Sequence, residues 1–188
     1  MGIGLLGGAF DPPHAGHVAL AWGGVAHFGL ERLLVRVVER PGHKDVDTPA
    51  GVRLELARLA FAGIDGAEVS LDPYPRTVDS LEALALPDPV FLVGADEFAE
   101  FLDWKRPDRV LELARLGVGS RPGVSRERVD AVRARLARPD RVELFEIEPH
   151  DISSSGLREL AARGEPLVEL VPAAVALRIG QLGLYRAA

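Results

Sequence analysis

Hydrophobic positions along the chain fall into two alternating patterns. Apolar runs of strand length at 3–6, 33–38, 67–71, 90–93, 116–119 and 142–147 alternate with stretches in which apolar residues recur at helical spacing. Those stretches cover 17–28, 49–62, 78–84, 97–101, 109–114 and 125–136, and two more helices are predicted near 154–162 and 172–181. Strand-length runs interleaved with helical ones predict an α/β fold, a doubly wound parallel sheet covered by helices on both faces. No internal repeat, low-complexity tract or linker interrupts the pattern, so residues 1–188 are expected to form one domain. In open parallel sheets ligands bind beyond the carboxyl ends of the strands.

Composition narrows this picture. A chain of 188 residues with 47% hydrophobic content can bury one sizeable core. It has no cysteine, which excludes disulfides and thiolate metal sites and agrees with a reducing, cytoplasmic setting. The first ten residues, MGIGLLGGAF, carry an apolar run too short for a membrane span and no basic start, so they read as a buried strand and no membrane partner is expected. A net charge of −6 argues against a broad nucleic-acid surface, but a local cluster of donors can still hold a phosphate.

Candidate chemistry concentrates at 5–17, LLGGAFDPPHAGH. A short strand ends at Gly7 and Gly8, and His14 and His17 stand just before a helical stretch. Glycines after a buried strand let backbone N–H groups approach an anion, and the following helix N-terminus adds unpaired donors and a positive dipole end. Two histidines three residues apart, with Gly16 between them, can aim both rings at one point and donate to charge on a phosphate. The plainer alternative is one capping histidine and one solvated one. A second helix start, His150-Asp151-Ile152-Ser153-Ser154-Ser155-Gly156-Leu157-Arg158, makes another candidate anion cradle, or a serine N-cap with a surface arginine.

The stretch GGAFDPPHAGH resembles the G-G-[TS]-F-D-P-x-H-x-G-H signature of the H-x-G-H nucleotidyltransferases, and most closely the bacterial nicotinate-mononucleotide adenylyltransferases. The serine-rich stretch is similar to their I-S-S-T-x-[IV]-R motif, with Ser155 for threonine and Leu157 for isoleucine. The resemblance spans essentially the whole chain, since 170–172 and 184–185 also match the family's closing helix. It implies a Rossmann-like nucleotidyltransferase fold and transfer of AMP from ATP, with Mg²⁺, to nicotinate mononucleotide. It is compatible with a homo-oligomer.

Residue by residue, the resemblance implies a catalytic role for His14, His17 and Arg158. It puts ATP and its phosphates at Gly7, Gly8, Ala9, Phe10, Gly94, Asp96, Arg121, Ile152, Ser153 and Ser154. The mononucleotide falls to Asp11, His43, Lys44, Arg76, Thr77 and Trp104, with Arg76 where the family has tyrosine. No side-chain metal site is implied. Each residue also has a structural reading. His43 and Lys44 could be a solvated pair in a turn, Thr48 a cap with Pro49 first in the helix, and Thr77, Asp79 or Asp96 helix caps. Trp104 could be core, Trp22 is expected to be core, and Arg53 reads most simply as a surface charge.

Rival functions are adenylyl transfer to nicotinamide mononucleotide or to phosphopantetheine, and nucleotide binding without catalysis. A class I aminoacyl-tRNA synthetase shares H-x-G-H, but 188 residues of net negative charge leave no room for tRNA-binding domains.

Overall fold

The computed structural model describes residues 2–42, 46–120 and 126–186. Its centre is a six-stranded, all-parallel sheet of β1 (Gly2–Gly8), β2 (Leu30–Val38), β3 (Ala67–Asp72), β4 (Val90–Gly94), β5 (Arg115–Ser120) and β6 (Val142–Glu146). The spatial order is β3-β2-β1-β4-β5-β6. The chain therefore builds outward on one side of β1, then returns and builds outward on the other. Where the direction reverses, between β1 and β4, the connections leave on opposite sides and a crevice opens at the strands' carboxyl ends.

The helices are α1 (Ala15–Phe28), α2 (Ala50–Phe61), α3 (Thr77–Leu84), α4 (Ala95–Phe98), α5 (Pro107–Leu113), α6 (Arg126–Arg133), α7 (Ser154–Ala162) and α8 (Ala173–Leu182). Consecutive strand residues feed opposite cores, as the continuous apolar runs require. Leu6, Val90 and Leu92 pack with α1, α2, α7 and α8, whereas Leu5, Phe91 and Val93 pack with α3, α4, α5 and α6.

The predicted strands and helices are all present, with ends shifted by a few residues. Four local expectations are corrected. Trp22 is 49% exposed, because α1 meets the sheet through its small residues Ala21 and Gly24 together with Leu20, and Trp22 lies on the opposite face. A Cβ on Gly24 would come within 2.5 Å of Leu92, so a larger residue there would have to push the Leu92 side chain aside. Thr48 is buried and precedes the N-cap Pro49, and α2 starts at Ala50. Neither Thr77 nor Asp79 caps α3, whose N-cap is Arg76 without a side-chain hydrogen bond, and Asp96 lies inside the first turn of α4 behind its N-cap Gly94. Arg53 is 1% exposed and forms part of the buried stripe of α2 with Leu56, Ala57, Ala60 and Phe61.

Candidate active site

The crevice holds a cavity of about 850 Å³. Its walls come from the β1–α1 loop, the end of β2, the β3–α3 loop, the β4–α4 turn with the segment that follows, and the β6–α7 loop.

On one wall the histidine motif adopts a defined geometry. The rings of His14 and His17 stack with centroids 3.7 Å apart and planes 29° apart. His14 N–H donates to His17 Nδ1 at 3.2 Å, so in the neutral ring the proton sits on Nε2, which becomes a donor. A Cβ on Gly16 would lie 3.2 Å from the His14 ring, which explains the glycine between the two. Phe10 packs edge-on against His17 at 5.1 Å and against Phe61 at 5.5 Å, and it holds a positive φ of 50° that turns the chain out of β1. Such backbone values in a bulky residue persist only where the surroundings impose them.

His14 is buried, and its Nδ1 has no hydrogen-bond partner. Burial, aided by the neighbouring His150, pushes its pKa down from 6.5 to about 4, so at neutral pH the ring is an uncharged donor or acceptor. A pH effect on stability follows. The unfolded histidine takes a proton near pH 6.5 that the folded one refuses until about pH 4. Its contribution is therefore complete above pH 6.5 and is lost progressively as the pH falls to about 4. The loss is about 3 kcal/mol. Urea unfolding of the wild type and His14→Asn at pH 7 and pH 4.5 checks this, because the wild type should fall more steeply than the variant. Parallel loss would assign the effect to other groups.

The loop between β1 and α1 is pinned from behind by side chains far away in sequence. Arg158 Nη1 donates to the Asp11 carbonyl at 2.7 Å, Ser154 Oγ to the Pro12 carbonyl at 2.9 Å, and Tyr185 Oη to Asp11 Oδ1 at 2.6 Å. Burial, reinforced by the Asp11 hydrogen bond, pushes the Tyr185 phenol well above its ordinary pKa, so it stays a donor. Asp11 is 2% exposed, and its carboxylate is already engaged by Tyr185. Ser153 caps α7 by accepting from Gly156 N–H at 3.1 Å.

On the other side of the cavity, Trp104 is half-buried, with its ring edge-on to Phe101 at 5.2 Å and Phe91 at 6.1 Å. Thr77 and Arg76, at the start of α3, line the same cavity. That β3–α3 loop is set by buried Asp72, which accepts from Ser80 Oγ at 2.6 Å and Tyr74 N–H at 3.1 Å and has Arg36 Nη2 at 3.6 Å.

The cavity thus brings together Gly7, Gly8, Ala9, Phe10, Asp11, His14, His17, Arg76, Thr77, Gly94, Asp96, Trp104, Ile152, Ser153, Ser154 and Arg158. His43, Lys44 and Arg121 lie outside the described residues.

The sequence matches the cytidylyltransferase-like family over residues 5–160. It is 35% identical to the probable nicotinate-nucleotide adenylyltransferase of Rubrobacter xylanophilus, covering 100% of this chain and 93% of that one. The chain belongs to the nicotinate-nucleotide adenylyltransferase family. Its likeness to the probable nicotinate-nucleotide adenylyltransferase of a Roseiflexus species is 36% over 98% of each chain. Among solved structures, the Plasmodium falciparum nicotinic acid mononucleotide adenylyltransferase complexed with NaAD superposes with a TM-score of 0.80 at 14% identity, covering 98% of this chain and 97% of that one. At that identity the likeness establishes the fold.

In this nicotinate-nucleotide adenylyltransferase family member, three features of the site escape sequence reading. His150 stands beside His14 and Gly16, with its Nε2 3.9 Å from Glu148 Oε2, and only the β6–α7 connection brings it there. The Arg36–Asp72 pair reaches the cavity floor from adjacent strands. Tyr185 was legible as a family match but not as the partner of Asp11.

Proposed function

We propose that the chain, acting as one nucleotidyltransferase domain over 1–188, transfers AMP from ATP to nicotinate mononucleotide, giving nicotinate adenine dinucleotide and pyrophosphate. The observation that carries this reading is the stacked His14–His17 pair at the start of α1, facing the same cavity as Trp104 at the β1/β4 switch point. A phosphate oxygen of the mononucleotide forms the new P–O bond to the α-phosphorus of ATP, and the α–β P–O bond breaks as pyrophosphate leaves. The attacking oxygen is already ionised at neutral pH, so no general base is needed. Positioning and charge stabilisation are the work.

His17 Nε2–H is assigned to charge developing on the α-phosphoryl group, with neutral His14 fixing its orientation. Gly7, Gly8, Ala9 and Phe10 offer backbone to the phosphates, Gly94 and Asp96 take the adenosine, and Ile152, Ser153, Ser154 and Arg158 face the pyrophosphate. His43 and Lys44 are proposed to hold the phosphate of the mononucleotide, and Arg121 to complete the contacts to ATP. Among the described residues no group of three or more His, Asp or Glu is placed to hold a metal. Mg²⁺ is proposed to arrive on the polyphosphate, as hard cations with few protein ligands do. No helix of the described residues is long and apolar enough to cross a membrane. We assign the reaction to the cytoplasm.

The test is to incubate the protein with ATP and Mg²⁺ plus nicotinate mononucleotide, nicotinamide mononucleotide or phosphopantetheine, and to follow pyrophosphate release. Fastest turnover with the nicotinate form is expected, because donors built for a carboxylate are left poorly paired by an amide. Preference for another acceptor would overturn the substrate assignment, and no release with any of them would overturn catalysis. The stacking role has its own test. Trp104→Ala should weaken the mononucleotide by roughly 5- to 150-fold, the scale of aromatic stacking on a base, and ATP far less. Equal loss for both substrates would remove that role.

A further inference from the structure

Arg53 is the largest fully buried side chain in the described protein. Its guanidinium donates to four main-chain carbonyls: Nε to Thr48 at 2.9 Å, Nη1 to Ala9 at 2.7 Å and Val38 at 2.8 Å, and Nη2 to Glu39 at 2.8 Å. No carboxylate oxygen is among these hydrogen-bond partners, so the donors end on peptide carbonyls, with the buried Asp11 carboxylate favouring the charge from further off. That is an expensive way to fill space in a helix stripe that leucine would fill better. The distribution of the four carbonyls explains it. Ala9 directly follows β1 in the loop that carries the histidine motif. Val38 ends β2 and Glu39 opens the loop that follows it, and Thr48 is where the chain returns from that loop to α2. One rigid cation therefore ties the exit of β1 to both ends of the loop after β2.

We infer that Arg53 is a positioning residue that fixes the loop for ATP and the loop for the mononucleotide in one relative placement. The inference rests on the substrate assignment above, because those two loops are the ones given to the two substrates. Arg53 itself is not among the residues lining the cavity, so its effect passes through the backbone it holds. A reaction between two bound substrates depends on their mutual placement, and a shift on the order of 1 Å can cost about 10²-fold in rate. Lysine cannot substitute, since three donors on a single nitrogen do not span carbonyls on separate segments.

The experiment combines hydrogen exchange with kinetics on Arg53→Lys and Arg53→Met. In folded Arg53→Lys, exchange should rise together at 7–11 and 38–42 while β4 and β5 stay protected. The kcat/KM should fall about 10²-fold for ATP and for nicotinate mononucleotide alike. A merely structural role would lower Tm and raise exchange around 48–54 alone, with kinetics unchanged below the transition, and that result overturns the inference. So does a loss confined to one substrate. If both variants fail to fold, the wild type still decides. ATP alone should slow exchange at 38–42 as well as at 7–11, and protection limited to 7–11 overturns the coupling. Absence of wild-type turnover would instead overturn the substrate assignment, leaving the ligand-free exchange comparison to judge Arg53 by itself.

Discussion

His17→Ala is expected to fold as the wild type does and to lose about 10²–10³ in kcat, the usual cost of removing one preorganised donor to developing charge. The His17 ring is held on three sides, by the His14 amide on Nδ1, the His14 ring stacked at 3.7 Å and the Phe10 edge at 5.1 Å. Its tautomer and direction are therefore set before substrate arrives. The ring is only partly buried and lies outside both apolar cores, so its loss should leave the unfolding midpoint nearly unchanged. Steady-state kcat with saturating ATP and mononucleotide, alongside a thermal melt, gives the answer. An unaltered kcat in a folded variant would place the donor elsewhere.

Arg158→Ala is expected to cost about 2–5 kcal/mol of transition-state binding, the range seen when one member of a hydrogen-bonded charge pair is truncated. Arg158 sits one turn into α7 and donates through Nη1 to the Asp11 carbonyl, so one edge of its fork braces the loop that holds the histidines. The proposed role uses the rest of the planar group on the polyphosphate. Removing the side chain should therefore raise the KM for ATP and lower kcat while mononucleotide binding is preserved. Arg158→Lys should recover only part, because a single ammonium cannot brace the carbonyl and grip a phosphate together. A lysine variant with wild-type kinetics would refute the two-edged role.

The architecture was legible because both faces of the strands are buried. Leu5 and Leu6, or Phe91 and Leu92, are apolar in succession, and only a sheet sandwiched between helices uses that pattern. Most of the residues that line the candidate site were legible as a group for a different reason: they lie in short motifs at strand ends, where chain order fixes position. What failed were inferences from residue type. Trp22 is large and apolar, yet α1 buries its smallest residues because it lies so close to the sheet. Arg53 is charged, yet it stands in register with Leu56, Ala57 and Ala60 on the buried stripe of α2, and that spacing was the signal available. Thr48 and Thr77 have the chemistry of caps, but the helices beside them start at Ala50 and at Thr77 itself. The approach of His150 to His14 and of Tyr185 to Asp11 depends on strand order, which no local window contains.

The position of β1 at the centre of the sheet has a consequence for how the protein is made. β1 precedes the other five strands of the sheet in the chain, and β2 can join one of its edges early, but the other edge waits for β4, which begins only at Val90. Through that interval an apolar strand with an open ladder is exposed to wrong pairing, the hazard of folds with distant parallel partners. Helix α1, although it follows β1 directly, rests on Leu92 of β4 through Gly24 and on Phe145 of β6 through Gly23. In the folded chain the helix that starts with the histidines is therefore seated on strands from both halves of the sequence. The seat of the N-terminal motif is thus completed by residues at the far end of the chain, Ser154, Arg158 and Tyr185 among them.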